Sequence, residues 1–349
     1  MPFYKDLVLS SKVETAIDKL KKEERIRIIQ GIISLREGLA KEIPTRTQND
    51  SLLLATWNIR EFAPKNKGGA RLIDTYFYIA EIISAYDLVA VQEVRDDLAA
   101  LQQVIRILGN DWQCIFTDVS DTKNGGNSER MAFIFDTRKV KLSGLSGEIV
   151  LRPDKIQFAR TPFMCGFKSG WTDFVLATVH IYYGDSVPED PRRLQEIKDL
   201  AEFIKTRSEK DSSITKNWIA LGDFNIFKKS DATMKALDDA GFKVPTALAK
   251  DNIPGSNVTK DKYYDQIAFK VDEERFKARE KAGIFDFYQY VFKDSDEVTY
   301  KPYMPQESKY KMWRTFQMSD HLPMWVEIKI DYSTEYLKGK LKDTFGVVV

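Results

Sequence analysis

The chain has 349 residues, of which 43% are hydrophobic and 12% aromatic, so it can bury one large α/β core or two ordinary ones, and disorder is excluded. Its 53 Lys and Arg residues nearly balance 52 Asp and Glu residues, and the formal net charge of +1 leaves only local patches to attract a polyanion. The two cysteines, Cys114 and Cys165, suit a reducing compartment and exclude a disulfide-rich scaffold or a cysteine metal cluster.

The N-terminal residues, MPFYKDLVLSSKVE, lack the basic start and long apolar run of a secretory signal. No segment of the chain reaches the ~20 consecutive apolar residues of a membrane span. We therefore expect a cytoplasmic chain that makes no contact with a membrane.

Residues 11 to 42 show a helical pattern beside the charged run KLKKEERIR. The apolar residues at helical spacing are Val13, Ala16, Ile17, Leu20, Ile29, Ile32, Ile33 and Leu35. This pattern favours an amphipathic helix packed on the main domain, with its charged face in solvent. A contact with a protein partner or with nucleic acid is the alternative. We assign residues 1–50 to an appended N-terminal helical segment.

From residue 51 onwards, strand and helix patterns alternate, and we predict a main domain over residues 51–331 followed by a C-terminal tail over 332–349. The predicted strands are 52–58, 87–94, 131–136, 173–181, 217–222, 263–269 and 323–330. The predicted helices are 69–85, 96–108, 191–208 and 231–240. The third helix has a clear start, because Asp190 can cap it and Pro191 suits its first turn. Consecutive strands in some places and single helices in others favour packed sheets with helices outside over an alternating barrel.

Polar residues that can do chemistry follow several predicted strands. They are Asn58, Glu93, His180, Asp223, Asn225, Asp265, Asp320 and His321. Each has an ordinary explanation when taken singly, such as a capped turn or a core histidine with satisfied hydrogen bonds. Their joint occurrence favours a functional site, especially because His180 and His321 are the only histidines in the chain.

Eight ordered segments resemble the signature blocks of the DNase I-like endonuclease/exonuclease/phosphatase superfamily. They are TWNIREF, VQEVRDDL, SER at 128–130, ARTPF, TVHIYYGD, LGDFN, YYDQI and MSDHLP. The first two blocks are most similar to the DNase I branch. The resemblance implies a four-layer α/β/β/α sandwich, in which two packed mixed β-sheets are flanked by helices and the active site lies at one edge.

The resemblance also implies a role for each matching residue. Glu93 and Asn58 match the principal metal-binding positions, and Asp320 matches a further carboxylate near the metal. The residues that match the catalytic positions are His180 with Glu129, His321 with Asp265, and the pair Asp223 and Asn225. Arg160 matches the arginine of a loop that faces the phosphate. We predict His321 as general base and His180 as phosphate stabiliser or general acid, although the two pairs look equivalent in sequence and the roles could be exchanged.

The chemistry of phosphodiester hydrolysis suits this residue set. Mg²⁺, or Mn²⁺ in its place, prefers oxygen ligands and keeps several waters, so one or two carboxylates and an amide suffice. A metal ion stabilises the charge that develops on phosphoryl and leaving oxygens, and histidines move protons. A carboxylate behind a histidine fixes its tautomer and raises its basicity.

Within the superfamily we predict a DNA endonuclease that acts on double-stranded DNA. Arg60 and Arg95 follow the two metal-binding blocks, where the DNase I branch has arginines that meet the minor groove. We expect basic loops at 64–71 and 309–314 to lie near the site and favour a nucleic-acid strand. The alternatives are an abasic-site endonuclease, a phosphatase or a sphingomyelinase of the same superfamily and, from another class, a non-catalytic nucleic-acid-binding module.

Overall fold

The computed structural model describes residues 2–4, 7, 21–122, 125–210, 213–272, 274 and 276–347. The strands are β1 (Ser51–Phe62), β2 (Lys65–Asn66), β3 (Gly69–Ala70), β4 (Leu88–Arg95), β5 (Trp112–Phe116), β6 (Glu129–Asp136), β7 (Lys141–Glu148), β8 (Phe163–Ser169), β9 (Thr172–His180), β10 (Trp218–Asp223), β11 (Asp265–Lys270), β12 (Ala278–Ile284) and β13 (Met324–Lys329). The helices are α1 (Lys22–Glu42), α2 (Ile73–Ser84), α3 (Ala99–Leu108), α4 (Pro191–Glu209), α5 (Ala232–Asp239), α6 (Thr246–Ala249), α7 (Glu297–Tyr300), α8 (Tyr310–Gln317) and α9 (Ser333–Phe345).

Two large mixed sheets lie face to face, as the sequence predicts. In the described chain, one sheet has the spatial order β12-β13-β1-β4-β6-β5 and the other β11-β10-β9-β8-β7. Successive side chains of a strand point to opposite faces, so in β1 Leu52 and Leu54 join the core between the sheets while Leu53 and Ala55 join the core beneath helices. Both faces of β1 are covered, and this explains why its sequence is a nearly continuous apolar run.

Helices cover the outer face of each sheet. Ile28, Ile32 and Leu35 of α1 pack in the same core as residues of α2, α3 and β1. On the other side, Ile197 and Ile204 of α4 pack against residues of β9 and β10. Each fully buried side chain of this size stabilises the fold by roughly 1.5–3 kcal/mol. The predicted four-layer α/β/β/α arrangement is confirmed.

The N-terminal helix packs on the main domain, but only part of its predicted apolar stripe, Ile32 and Leu35, is buried. Ile29 and Ile33, which we placed on the apolar stripe, are exposed, whereas Ile28, Ile32 and Leu35 are buried. The buried residues follow the spacing i, i+4, i+7 of one helix face, which Ile29 and Ile33 do not share. The part of the prediction on residues 11–20 lies outside the described residues.

Two segments that we predicted as loops have regular structure. Within 64–71, β2 and β3 form a short antiparallel hairpin, and residues 310–314 belong to α8. Trp313 is buried in the core, so packing rather than intrinsic preference explains why α8 forms. The predicted tail contains α9, in which no residue is buried. In the described part of the chain, no helix is long and apolar enough to cross a membrane.

Candidate active site

The predicted polar residues meet at one edge of the sandwich because of how the strands run. Strands β9 and β10 are parallel, so His180 and Asp223 are register partners at their ends. Strand β11 is antiparallel to β10, and its first residue, Asp265, lies opposite Asp223. In the other sheet, β1 and β4 are also parallel, and they bring Asn58 and Glu93 towards a common edge.

The backbone is irregular near the ends of β1 and β4, at Glu61 and Glu93, and both carboxylates line the cleft that is described below. Glu93 has a φ of 61°, and the strand register shifts on both sides of it, between Asn58 and Phe62 and between Val91 and Val94. A left-handed residue other than glycine costs about 1–3 kcal/mol, and such residues cluster at functional sites. Glu61, with a φ of 41°, donates its N–H to Glu93 Oε2 over 2.7 Å. The bulge thus holds the Glu93 carboxylate in place through the backbone of β1.

His321 is paired with a fully buried carboxylate. Its Nδ1 forms a 2.8 Å hydrogen bond with Asp265 Oδ2. Burial alone lowers the pKa of His321, but the negative charges of Asp265 and Asp223 outweigh it and hold that pKa well above its ordinary value. When Nδ1–H donates its hydrogen bond to Asp265, the lone pair of the neutral ring is on Nε2.

His180 has a different carboxylate environment. Its Nδ1 lies 2.9 Å from Glu129 Oε2, although the ring N–H is not aligned for a hydrogen bond with it. The same oxygen accepts a 2.5 Å hydrogen bond from Arg160 Nε. Burial raises the pKa of Glu129, but the charges of His180 and Arg160 outweigh this and lower it to about 2. Glu129 therefore stays ionised beside Arg160 and His180.

Asp223 lies between the two histidines. Its Oδ2 is 3.6 Å from His180 Nε2 and 3.7 Å from His321 Nε2, which are too long for hydrogen bonds. The same oxygen accepts a 3.0 Å hydrogen bond from Asn58 Nδ2, and Oδ1 accepts the N–H of Asn225. Burial raises the pKa of Asp223, but the two histidines and these hydrogen bonds lower it overall. Asp223 is thus a fixed anion towards which both Nε2 atoms converge.

Ser319 is a site residue that sequence reasoning missed. Its buried hydroxyl donates to the Asn58 carbonyl over 2.6 Å and accepts the N–H groups of Arg60 and His321. It therefore joins the end of β1 to the loop that carries His321. The only sequence signal is its place in the MSDH block, one residue before Asp320.

The three arginines predicted to bind substrate all take part in ion pairs. Arg60 lies 3.3 Å from the half-exposed carboxylate of Asp320 and 3.8 Å above the centre of the Phe316 ring. Arg95 lies 3.4 Å from Glu129, which also binds the buried Arg160. Arg60 and Arg95 are only partly buried, so they can exchange these contacts for a phosphate, whereas Arg160 is buried against Glu129.

Ten of the twelve predicted site residues line one cleft of about 940 Å³, and the two exceptions are Asn58 and Asp265. Lys65 and Lys67 of the β2–β3 hairpin line it as well, together with Tyr183 and Tyr264. Asn58 and Asp265 are fully buried behind it, where Asn58 donates a hydrogen bond to Asp223 and Asp265 bonds His321. The side chains that line the cleft are mostly polar or charged.

The residues around Glu93 fit a hard divalent cation. Asn58 Oδ1 is buried without a hydrogen-bond partner, which is costly unless a ligand binds it. Burial and the negative charges of Glu129 and Asp320 raise the pKa of Glu93, although His180 opposes them, and a cation would relieve this repulsion. Within the described ranges, no three His, Cys, Asp or Glu side chains converge as a metal cage. The donor set is therefore a carboxylate and an amide, with room for water, as Mg²⁺ prefers.

Comparisons with known proteins agree with this geometry. A model of the endonuclease/exonuclease/phosphatase family matches residues 55–256. A deoxyribonuclease from Thioalkalivibrio sp. (strain K90mix) is 30% identical over 193 residues, which cover 53% of this chain and 50% of that protein. Human deoxyribonuclease-1 is 30% identical over 147 residues, which cover 40% of this chain and 51% of that protein. The chain thus spans about half the length of the curated relatives it matches.

Solved structures share the fold at lower sequence identity. An endonuclease/exonuclease/phosphatase family protein from Bacteroides thetaiotaomicron has a TM-score of 0.54 and 17% identity, covering 82% of this chain and 97% of that one. TDP2 from D. rerio, complexed with a single strand DNA product, has a TM-score of 0.54 and 15% identity, covering 80% of this chain and 98% of that one. The predicted DNase I-like resemblance is confirmed, and the chain belongs to the endonuclease/exonuclease/phosphatase family.

Proposed function

We propose that the protein is a Mg²⁺-dependent phosphodiesterase that hydrolyses DNA as an endonuclease. The observation that carries the proposal is the convergence of both histidine Nε2 atoms on Asp223, 3.6 and 3.7 Å from one carboxylate oxygen, at the base of a polar cleft. This arrangement offers two proton-transfer groups and a fixed anion on one side of a bound phosphate. The deoxyribonuclease names of the relatives support DNA as the substrate.

In this proposal, Glu93 and Asn58 Oδ1 would hold the metal ion, and Asp320, which lines the same cleft as Glu93, would supply a further oxygen. The family generally uses divalent metal ions, and the oxygen donors favour Mg²⁺, with Mn²⁺ as the alternative. When bound, the ion polarises a phosphoryl oxygen and stabilises the leaving oxygen. The cost of burying Asn58 Oδ1 without a partner is then removed.

The protein's own residues supply the proton transfer. A water held between Asp223 and His321 can give its proton to His321 Nε2 as it attacks phosphorus, while Asp265 stabilises the imidazolium that forms. His180 Nε2 faces the same point and can donate a hydrogen bond to the phosphate or a proton to the leaving oxygen. Asn225, whose amide donates to the Ile181 carbonyl over 2.8 Å, keeps the turn after β10 in place.

The walls of the cleft support a nucleic-acid substrate. Arg60, Arg95, Lys65 and Lys67 line it around the acidic centre, where they can contact phosphates on either side of the scissile bond. Double-stranded DNA is therefore the first substrate to test. Arginine in this position can also enter a narrow minor groove.

A substrate panel tests the proposal. We would incubate the purified protein with plasmid DNA, a duplex with an abasic site, RNA, inositol phosphates and sphingomyelin, each with Mg²⁺ and with EDTA. We expect nicking or cleavage of plasmid DNA with Mg²⁺ and no cleavage with EDTA. His321→Ala, purified in the same way, controls for a contaminating nuclease. Activity on a lipid or an inositol phosphate without activity on DNA would overturn DNA as the substrate.

A further inference from the structure

Three aromatic rings form a cluster on the wall of the cleft beside His321. The Tyr183 and Phe227 rings are stacked, with centroids 6.1 Å apart and an interplanar angle of 20°. The Tyr264 ring meets both edge-on, at 6.1 Å from Tyr183 and 5.4 Å from Phe227. Tyr264 in turn lies 5.6 Å from the His321 ring. The aromatic surface therefore begins directly beside the proposed phosphate site.

A buried arginine fixes the outermost ring of this cluster. The Arg193 side chain donates to the carbonyl oxygens of Tyr182, Tyr183, Val187 and Pro188, and it is fully buried. Its guanidinium also lies 4.9 Å from the centre of the Phe227 ring. The backbone that carries Tyr183 is thus held in one conformation, which reduces the entropy lost when a ligand stacks on the ring.

The exposed part of the cluster faces the substrate cleft. Phe227 is buried, whereas Tyr183 is 37% exposed and lines the cleft together with Tyr264. Burial and the neighbouring Tyr183 hydroxyl raise the pKa of Tyr264, so this hydroxyl stays neutral beside a phosphate. Lys262 Nζ, 5.2 Å from the centre of the Phe227 ring, adds a positive charge at the margin. None of these side chains has a role in the proton transfers proposed above.

Building on the proposed function, we infer that Tyr183 and Tyr264 form a stacking site for the nucleobase next to the scissile phosphate, after that base has left the helical stack. The 5.6 Å separation of the Tyr264 and His321 rings places this surface directly beside the proposed phosphate site. A flat aromatic face accepts any base, and Lys262 complements the negative charge of the adjoining backbone. The ligand class is thus an unstacked nucleotide of a DNA strand.

This site has a consequence for substrate preference. A base inside a perfect duplex must be unstacked before it reaches Tyr183, which costs free energy, whereas a single-stranded or mismatched base is already available. We therefore expect wild-type protein to cleave single-stranded or locally unpaired DNA faster than fully paired DNA of the same sequence. Replacing the Tyr183 ring should reduce this preference.

The inference is tested by comparing wild-type protein and Tyr183→Ala on DNA strands with and without one base. The substrates are single-stranded oligonucleotides with one nucleotide that lacks its base, and cleavage is quantified separately at the phosphodiester on its 5′ and on its 3′ side. In wild type, we expect loss of the base to lower kcat/KM at one of these bonds by roughly tenfold, within the range for base–aromatic stacking. Tyr183→Ala should lower kcat/KM on the intact strand by a similar factor and have no effect on the strand that lacks the base.

Matched variants separate stacking from a general loss of structure. Tyr183→Phe keeps the ring and should behave like wild type. Trp171→Ala removes an exposed ring at the opposite end of β9 and should leave both substrates unaffected. Equal effects of Tyr183→Ala on both substrates, or faster wild-type cleavage beside the missing base, would overturn the stacking site. Absence of any DNA cleavage by wild type would instead overturn the proposed function and the inference with it.

Discussion

The two histidines of the site differ in how their carboxylate partners are used. Asp265 is fully buried, and its Oδ2 bonds His321 Nδ1 over 2.8 Å. Glu129 Oε2 is shared, because it accepts a hydrogen bond from Arg160 and also lies 2.9 Å from His180 Nδ1. Burial raises the pKa of Asp265 despite the opposing charge of His321, whereas cationic partners lower the pKa of Glu129 to about 2.

This difference distinguishes two histidine–carboxylate pairs that look equivalent in the sequence. The Asp265 carboxylate is bonded to a single ring, so it orients His321 and stabilises the imidazolium that forms when this ring takes a proton from water. The charge of Glu129 is largely compensated by Arg160, which leaves His180 beside a nearly neutral pair. His180 thus lacks the unshared carboxylate partner that His321 has, and we predict that it holds the phosphate or acts as general acid.

Removal of each imidazole should give the largest effects and should be unequal. We expect His321→Ala to lower kcat on DNA by up to about 10⁴-fold, the upper range for general acid–base catalysis. His180→Ala, which removes a phosphate contact, should cost about 10²- to 10³-fold. Steady-state cleavage assays with Mg²⁺ measure both, and circular dichroism checks the fold. A His321→Ala protein with more than a tenth of wild-type activity would refute the assignment.

Neutralising the carboxylate behind His321 should have the next largest effect. Asp265→Asn should reduce kcat by roughly 10- to 100-fold, because the ring loses the group that orients it. The charge of Asp265 raises the pKa of His321, so the variant should have a lower His321 pKa. A base acts when deprotonated, and the acid limb of its pH–rate profile should therefore move to lower pH. An unchanged profile would show that Asp265 does not act through His321.

The shared carboxylate should instead matter for stability. The pKa of Glu129 lies near 2 in the folded protein and 4.5 ordinarily, so its stabilising effect is full above pH 4.5 and is lost as the pH falls towards 2. Glu129→Gln should thus lower the free energy of unfolding by roughly 3 kcal/mol at pH 7 and by much less at pH 3. Urea unfolding at both pH values measures this difference. A loss that is equal at the two pH values would contradict the ion-pair explanation.

The smallest effect concerns the link between the two halves of the site. Ser319→Ala removes the hydroxyl that joins Asn58, Arg60 and His321, and should cost about 1 kcal/mol of stability. Ser308→Ala, at an exposed position of the same segment, is the matched control and should have no effect. Thermal unfolding of both variants tests this. Equal melting temperatures for the two variants would mean that water replaces the Ser319 hydroxyl.

The sequence predicts the fold and most of the site because the relevant residues follow strong local patterns. Strands β1, β4, β9 and β10 are apolar runs, and each carries a polar site residue near its end. Strands β1 and β4 are parallel neighbours in one sheet, and β9 and β10 are parallel neighbours in the other, so each sheet carries one pair of polar residues near its strand ends. The packing of the two sheets then brings Asn58 and Glu93 together with His180 and Asp223. Strands that lack such an apolar pattern are not predicted from the sequence. In the described chain, β7 is a largely exposed edge strand and β12, AREKAGI, is a mostly half-buried edge strand, and neither has an apolar run.

Features that depend on tertiary contacts are not predicted. Ser319 resembles any other serine until β1 and the loop before β13 are adjacent. The unequal partners of the two histidines arise because Arg160 reaches Glu129 across 31 residues of chain, whereas Asp265 has no ion pair with an arginine or a lysine among the described residues. The Tyr183 cluster joins residues from three separate segments, and each ring alone has the pattern of an ordinary loop aromatic.

The role of His321 as general base is tested most directly with a substrate whose leaving group needs no proton. A thymidine phosphodiester with a p-nitrophenyl leaving group bypasses the general acid but still requires an activated water. We would measure kcat for wild type, His180→Ala and His321→Ala on this substrate and on DNA. We predict that His321→Ala is as impaired relative to wild type on the activated substrate as it is on DNA. Recovery of His321→Ala to within tenfold of wild type on the activated substrate would contradict the assignment and make His321 the acid.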